Sequence, residues 1–287
     1  MKLKYIDIFF NVNCCNNKEN ILEKNYFVII TYFLSFLSCN LANSSSKNKG
    51  FEFNQSEKII EKNLKLKEDH LKSEAIQNDL IVKIMEIVKL IEAKTILDRA
   101  KIEPLDQFGM KDFVFNNLIV DSNHERYSHN ENKDVRRKFY SSLNYNEPLI
   151  RVFGKILNKI SSNVNNQNLD LLIVKAGQYY SQYELEHSAK KINEQMDKLT
   201  NLNTEELNLI LSKLKELKTF KTRWIDIVNQ IVGYCTNNIN LNGDIKDDFG
   251  KMIRCIEHIN LKYEYFLKHE ILKTEILSYE ITKILDK

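Results

Sequence analysis

Glycine and proline are scarce in this sequence. It contains seven Gly and two Pro among 287 residues, too few for the many turns that strand-rich folds consume. The scarcity excludes a fold built from many short strands and predicts an all-α chain with few connections. The length is sufficient for one domain with a sizeable core.

Motifs of common catalytic sites are also missing. The sequence has no HExxH, no GxSxG, no Walker loop and no GxGxxG. One Glu-x-x-His pair, Glu184 and His187, has no second copy, whereas di-iron bundles need two such pairs. His124 and His129 lie in a polar stretch without a third ligand. We therefore predict no catalytic residue, no metal site and no cofactor, and we predict that the protein is not an enzyme.

Charge is nearly balanced along the chain, with a formal net charge of +3. Binding of nucleic acid needs a clustered basic surface, so this partner is not expected. One local basic patch consists of Arg136, Arg137 and Lys138. It either meets an anionic partner, forms a solvated helix face, or is neutralised by ion pairs within the chain.

Only five cysteines are present, which excludes a disulfide scaffold. Cys235 and Cys255 flank the last predicted turn. In an antiparallel hairpin Cys235 faces about residue 249, which places Cys255 about 9 Å further along the helix. That distance exceeds the reach of a disulfide, so both are predicted to be core thiols.

An apolar stretch near the N-terminus, Tyr26 to Cys39, has the length of a secretory h-region and is too short for a membrane span of roughly 20 residues. Its end, Phe36-Leu37-Ser38-Cys39, resembles a relaxed bacterial lipobox, which implies cleavage before Cys39 and lipidation of its sulfur. The alternative is a buried helix of a cytosolic protein. We predict a signal peptide with an over-extended start over 1–38, a lipidated disordered tether over 39–57, and a single helical surface domain over 58–287.

Helical periodicity runs through the predicted domain. We expect a bundle of about six to eight helices, with a loop from Asp121 to Lys133, an N-terminal cap at Thr204 and Trp224 in the core. Apolar spacing places these helices at residues 56–71, 76–97, 107–120, 134–143, 148–160, 169–199, 203–235 and 245–285.

The last predicted helix, Ile245 to about Leu285, is roughly 60 Å long, whereas a domain of this size is about 45 Å across. We expect it to overhang the domain and to pack against a second copy or a ligand. The alternative is that it folds back over the helix at 76–97 of its own chain. The candidate dimer or ligand surface consists of Tyr263, Phe266, Ile271, Leu272, Ile276, Leu277, Ile281 and Ile284.

Several short motifs together resemble the complement regulator-acquiring surface protein family of Lyme disease spirochaetes. They are the segments Pro104–Lys111, Arg136–Tyr145, Gly154–Asn158 and Ala176–Gln178, together with Trp224. The resemblance covers roughly residues 68–287. It implies an all-helical lipoprotein that is anchored in the outer membrane through Cys39 and displayed on the bacterial surface.

Members of this family differ in their ligands. The best-known member is a homodimer whose C-terminal helices help to form a cleft that recruits complement factor H, and paralogues bind terminal complement components or plasminogen, or have no known ligand. The resemblance implies binding of factor H or another complement component for immune evasion. The alternative is a surface antigen or adhesin that binds plasminogen or another host or tick ligand. For plasminogen, a C-terminal Lys287 is the candidate contact for a kringle domain.

Overall fold

The computed structural model describes residues 50–162, 168–239 and 249–287. Cys39 and the predicted signal peptide, residues 1–38, lie outside the described residues. The chain divides into two compact units, residues 1–66 and 67–287. The first unit is described only through residues 50–66, which are helical, so the features below belong to the second unit unless stated otherwise.

Helices form nearly all of the described chain, which confirms the all-α prediction. The only β pairing in the described residues is an isolated bridge between Ile119 and Arg126. The α-helices are α1 (Gly50–Arg99), α2 (Val114–Asn117), α3 (Lys133–Ser142), α4 (Glu147–Ser161), α5 (Leu169–Lys175), α6 (Glu184–Glu194), α7 (Thr204–Asn238), α8 (Phe249–Tyr265) and α9 (Lys273–Leu285).

Helix α1 is one continuous helix of 50 residues, so the prediction of two separate helices was wrong. The linking segment, Lys72-Ser73-Glu74-Ala75, contains no helix breaker, and extending a helix costs far less than starting a new one. Because α1 begins at Gly50, it also includes residues 50–57 of the predicted tether. From residue 60 onwards, its buried hydrophobic side chains are Leu80, Ile84, Val88 and Ile91.

The predicted helix over 107–120 is interrupted, and that prediction was wrong. Gln107, Phe108 and Gly109 all have positive φ angles, of 51°, 58° and 83°, and L-residues in this conformation cannot continue a right-handed helix. The segment forms a 3₁₀ turn over 107–109 and, after it, the four-residue α2. The loop predicted over 121–133 is confirmed, with a 3₁₀ turn at Asn130–Asn132.

Aromatic side chains fill the centre of the bundle, as predicted for Trp224. This indole is fully buried, contacts Phe153 edge-to-face and donates a hydrogen bond from Nε1 to Ser142 Oγ at 3.0 Å. A Cβ at Gly177 would lie 2.8 Å from the same Oγ and 3.0 Å from the indole. Glycine at 177 therefore lets the chain after α5 approach α3 and α7 closely.

Helix α7 begins one residue earlier than its predicted cap implies. The cap is Asn203, whose Oδ1 accepts a hydrogen bond from the Glu206 amide at 2.9 Å. The Glu206 carboxylate in turn accepts one from the Asn203 amide at 3.1 Å. This reciprocal capping box makes Thr204 the first helical residue.

The C-terminal segment packs on its own chain. A π-helical turn at Phe266–Glu270 separates α8 from α9, and α9 lies against α6 and α7. The hydroxyls of Ser188 and Ser278 are 3.0 Å apart in this interface. Most of the residues that were expected to overhang the domain are therefore buried within the chain. The segment thus packs within its own chain, but against α6 and α7 and not against the helix at 76–97. The dimer stays a prediction.

Cys235 and Cys255 form a disulfide with a Cα–Cα distance of 5.6 Å, so the prediction of two free core thiols was wrong. It assumed a tight symmetric hairpin with Cys235 opposite residue 249. The bond instead places Cys235 opposite Cys255, so the register of the two helices differs from the one assumed. Both sulfurs are buried.

Candidate functional site

A row of stacked rings lies at the surface where α5 passes into α6. Between these helices, Ala176–Tyr183 forms a π-helical stretch, and its wider turns align side chains four residues apart. The ring of Tyr183 stacks on Tyr179, with centroids 5.1 Å apart, and on His187, with centroids 5.6 Å apart. We call Tyr179, Tyr183 and His187 the tyrosine ladder. Both tyrosines are half-buried and His187 is exposed.

Two clefts flank the ladder. One, of about 550 Å³, is lined by Tyr179, Tyr180 and Tyr183 together with side chains of the 120–127 loop and Glu275 of α9. The other, of about 480 Å³, lies between α1 and α6 and is lined by Tyr183, His187 and residues of α1 that include Ile96. Tyr183 and Lys138 line both clefts. The ladder is thus a ridge between two grooves.

Helix α9 extends this surface. Glu275 lines the same cleft as Tyr179 and lies on the outer side of α9 with Ile276 and Tyr279, and Leu272 immediately precedes this helix. Ile276 is 58% exposed and Tyr279 is 66% exposed, while Leu272 is half-buried. We group the ladder with these three neighbours of Glu275 and call the group the ladder surface.

The predicted C-terminal surface is only partly exposed. Leu272 and Ile276 reach solvent, and the other six predicted residues are buried within the chain: Tyr263, Phe266, Ile271, Leu277, Ile281 and Ile284. The analysis of the sequence missed Tyr279 and the ladder. Their signal was present, since Tyr279 follows Leu272 and Ile276 at helical spacing and the ladder residues recur every four positions.

The two arginines of the basic patch form ion pairs with glutamates of the same chain. Arg136 forms a bidentate pair with Glu103 at 2.7 Å for both hydrogen bonds. Arg137 forms another with Glu186 at 2.8 and 2.7 Å, and both arginines are buried. Only Lys138 reaches the surface, where its ammonium lies 5.4 Å from the centroid of the Tyr183 ring.

Burial governs the titration of the groups beneath the ladder. Burial raises the pKa of the Glu184 carboxyl, a hydrogen bond with Ser278 opposes this rise, and the nearby Glu275 adds to it. Burial and the charge of Glu184 also raise the pKa of Tyr183. The tyrosines therefore stay neutral phenols at physiological pH, able both to donate hydrogen bonds and to present a ring face.

The other side chains considered in the sequence, those of Lys287, His124 and His129, are exposed. Lys287 is 59% exposed at its side chain, and its Nζ pairs with Glu206 at 2.7 Å. His124 is exposed, and His129 is exposed and lies 2.8 Å from Glu125. In the described ranges, no three His, Cys, Asp or Glu side chains are grouped so that they could hold a metal ion. None of the described helices combines the length and the apolar character needed to span a bilayer.

Comparison with known proteins gives one matching family and several similar structures. Residues 98–286 match the family described as Borrelia Bbcrasp-1 domain containing protein, and no curated protein matches the chain significantly. The structure is similar to the Borrelia spielmanii protein BSA64, an orthologue of Borrelia burgdorferi BBA64, at 29% identity and a TM-score of 0.64. That similarity covers 74% of this chain and 97% of the other.

Two Borrelia burgdorferi proteins give similar values. The outer surface lipoprotein BBA64 is 27% identical with a TM-score of 0.64, over 73% of this chain and 97% of its own. The Lyme disease associated outer surface protein BBA65 is 23% identical with a TM-score of 0.63, over 71% of this chain and 98% of its own. The last similarity concerns the fold alone.

Proposed function

This chain belongs to the family of Borrelia Bbcrasp-1 domain containing proteins, and from that membership we propose that it binds a host protein at the bacterial surface. The family expected from the sequence motifs is confirmed. The chain is an outer-surface protein, like the Borrelia burgdorferi outer surface lipoprotein BBA64. Lipidation of Cys39, which would provide its membrane anchor, is part of the proposal.

The ladder surface carries the proposal. Protein-binding surfaces are enriched in Tyr, Trp and Arg at the residues that contribute most binding energy, and those residues lie beside pockets that exclude water. Here stacked tyrosines lie between two clefts, and the exposed Ile276 and Tyr279 extend the same face. Such rigid rings lose little conformational entropy on binding.

The proposed ligand is a complement component or regulator of the factor H type. Binding such a protein at the cell surface would protect the bacterium from complement, and the activity would require recognition without catalysis. The family resemblance favours this ligand class. In this proposal the contact is made by the two adjacent clefts and the exposed side of α9.

Retention of serum proteins on the immobilised chain tests this proposal. Wild type and Tyr183→Ala/Tyr279→Ala are compared, with Tyr265→Ala as the matched control, since Tyr265 is equally exposed but lies on α8. Quantitative mass spectrometry is expected to find a complement protein on wild type and control, and at least about tenfold less on the double variant, as for loss of a hot-spot residue. Equal retention by all three proteins would refute the assignment of the surface.

Lipidation is tested separately by feeding spirochaetes labelled palmitate. Wild type and Cys15→Ala are expected to take up label, and Cys39→Ala is expected to take up none. Label on Cys39→Ala would refute the anchor.

A surface antigen or adhesin with a different host or tick ligand is the alternative. For plasminogen, deleting Lys287 is expected to weaken binding. Glu206→Gln should strengthen it, because Glu206 now pairs with the Lys287 ammonium. If neither change alters plasminogen binding, Lys287 is not the contact.

A further inference from the structure

A cleft distinct from the ladder surface lies between α1, α6 and α7. It has a volume of about 220 Å³ and includes the side chains of Leu90, Ile91, Leu185 and Ile225, which provide apolar walls. Its polar lining consists of three lysines, Lys94, Lys218 and Lys221, with Asn144, Gln182 and Thr222. An apolar slot with cations at its edge has the composition of a site for a small amphipathic anion.

Lys221 is the unusual member of this lining. It is half-buried, and within the described parts of the chain its ammonium has no hydrogen bond and no ion pair. By contrast, Lys94 donates to Asp98 at 2.9 Å. The pKa of Lys221 is lowered to about 8, chiefly by burial; the charges of Asp98 and Glu186 oppose this shift, and those of Lys94 and Arg137 add to it. A desolvated ammonium without a direct hydrogen-bond acceptor is costly, and an anionic ligand would offset that cost.

Gln182 supplies a second, independent feature. It is 2% exposed, and its Nε2 donates to Glu186 at 2.6 Å. Its Oε1 is buried and accepts no hydrogen bond from any residue in the described ranges. Buried carbonyl oxygens nearly always have a donor, so this one lacks an N–H or O–H group that a ligand in the cleft could bring.

We propose that this cleft binds the carboxylate of an acylated aliphatic amino acid. The carboxylate would accept hydrogen bonds from Lys221 and Lys218, the amide N–H would donate to Gln182 Oε1, and the aliphatic side chain would lie between Leu185 and Ile225. The same chemistry occurs in a free metabolite and at the C-terminus of a peptide. This site is separate from the ladder surface and does not depend on the proposed function.

Calorimetric titration of the full chain with N-acetyl-leucine tests the site. Lys221→Met removes the ammonium but keeps an apolar stem, and it is expected to weaken binding at least about tenfold, as for a charge-assisted hydrogen bond. Lys215→Met, on the exposed side of the same helix, is the matched control and should bind like wild type. N-acetyl-leucinamide, which lacks the carboxylate, should not compete.

NMR titration of the Lys221 side chain provides a readout that does not rely on a variant. Bound carboxylate should raise the pKa of Lys221, whereas N-acetyl-leucinamide should leave it unchanged. Tighter binding of acetyl-Ala-Ala-Leu than of N-acetyl-leucine would identify a peptide C-terminus as the source, and equal binding would identify the free acid. The proposal is overturned if N-acetyl-leucine fails to bind at millimolar concentration, or if Lys221→Met binds it as wild type does.

Discussion

At the scale of the residue, a buried ion pair links the segment that carries the ladder to α3. Arg137 holds Glu186 in a bidentate pair and also donates to Asp134 at 2.7 Å. Glu186 in turn accepts from Gln182, so one carboxylate connects α3 with α6 and with the π-helical stretch that carries Tyr183. Such a network orients its members only while every partner is present.

Removal of one partner from this pair should destabilise the fold strongly. Arg137→Ala leaves the buried Glu186 carboxylate without its cation and is expected to lower the free energy of unfolding by about 3–5 kcal/mol. Arg151→Ala breaks exposed pairs with Asp106 and Glu147 and should cost at most about 1 kcal/mol. Urea unfolding followed by circular dichroism measures both. Similar losses for the two variants would contradict the prediction.

Glu184 should make stability depend on pH. Its folded-state pKa is raised, chiefly by burial, so the folded chain holds this proton more tightly than the unfolded chain does. Stability is therefore lost as pH rises from the ordinary pKa of 4.5 through the folded-state value. Glu184→Gln is expected to be more stable than wild type at pH 7 and to show a smaller loss between pH 4 and 7. Glu194→Gln, at an exposed position, should show neither effect in thermal melts.

At the scale of the helix, close approach and covalent linkage determine how the elements meet. Gly177 allows the π-helical stretch to contact Ser142 and Trp224, and the Cys235–Cys255 disulfide joins α7 to α8. Gly177 acts because it has no side chain, and the disulfide acts as a covalent bond. Both connect different elements of the fold, whereas the local sequence pattern describes each element by itself.

A methyl group at Gly177 tests the close approach. Gly177→Ala is expected to destabilise the chain by about 1–3 kcal/mol, because the added Cβ overlaps Ser142 and the Trp224 ring in a packed core. Gly233→Ala is the matched control within α7, where nothing lies within 4 Å of the added Cβ. It should stabilise the chain by about 0.5–1 kcal/mol through helix propensity. Chemical denaturation measures the change in the free energy of unfolding, which should have opposite signs in the two variants.

The disulfide should stabilise the fold by an amount that depends on the length of the loop that it closes. Its cysteines are 20 residues apart, for which loop-closure entropy predicts about 3 kcal/mol of stabilisation. Cys235→Ala/Cys255→Ala is expected to unfold at lower denaturant concentration and to be insensitive to reductant. Wild type should approach that midpoint once it is reduced. A midpoint unaffected by reductant in wild type would show that the bond is absent in solution.

At the scale of the whole molecule, the C-terminal segment combines structural and surface roles. Its inner side completes the core against α6 and α7, and its outer side exposes Ile276 and Tyr279. The two-fold dimer that was expected from an overhanging helix stays a prediction. The dimer interface would now lie on the outer side of α9, because the inner side packs against α6 and α7 of the same chain.

Truncation after Tyr265 is expected to abolish cooperative unfolding, because it removes buried side chains that include Leu267, Ile271 and Ile281. Each such loss costs about 2–5 kcal/mol, against a typical total stability of about 5–15 kcal/mol. A truncated chain with a cooperative transition would contradict the packing of α9.

The dimer is better tested with Ile276→Glu, which should yield monomers in sedimentation experiments if α9 forms the interface. Leu261→Glu, at an exposed position on α8, should leave the mass unchanged.

The sequence by itself determined the helical class, most helices, the loop at 121–133 and the burial of Trp224. These features follow from scarce glycine and proline and from apolar spacing, which act between residues close together in the chain. Tertiary structure alone decided the Cys235–Cys255 bond, the pairing of Arg137 with Glu186 and the burial of α9 against α6 and α7. Those contacts join groups 20 to about 90 residues apart, and their distances depend on helix register and on the packing of the whole bundle, which no local pattern specifies.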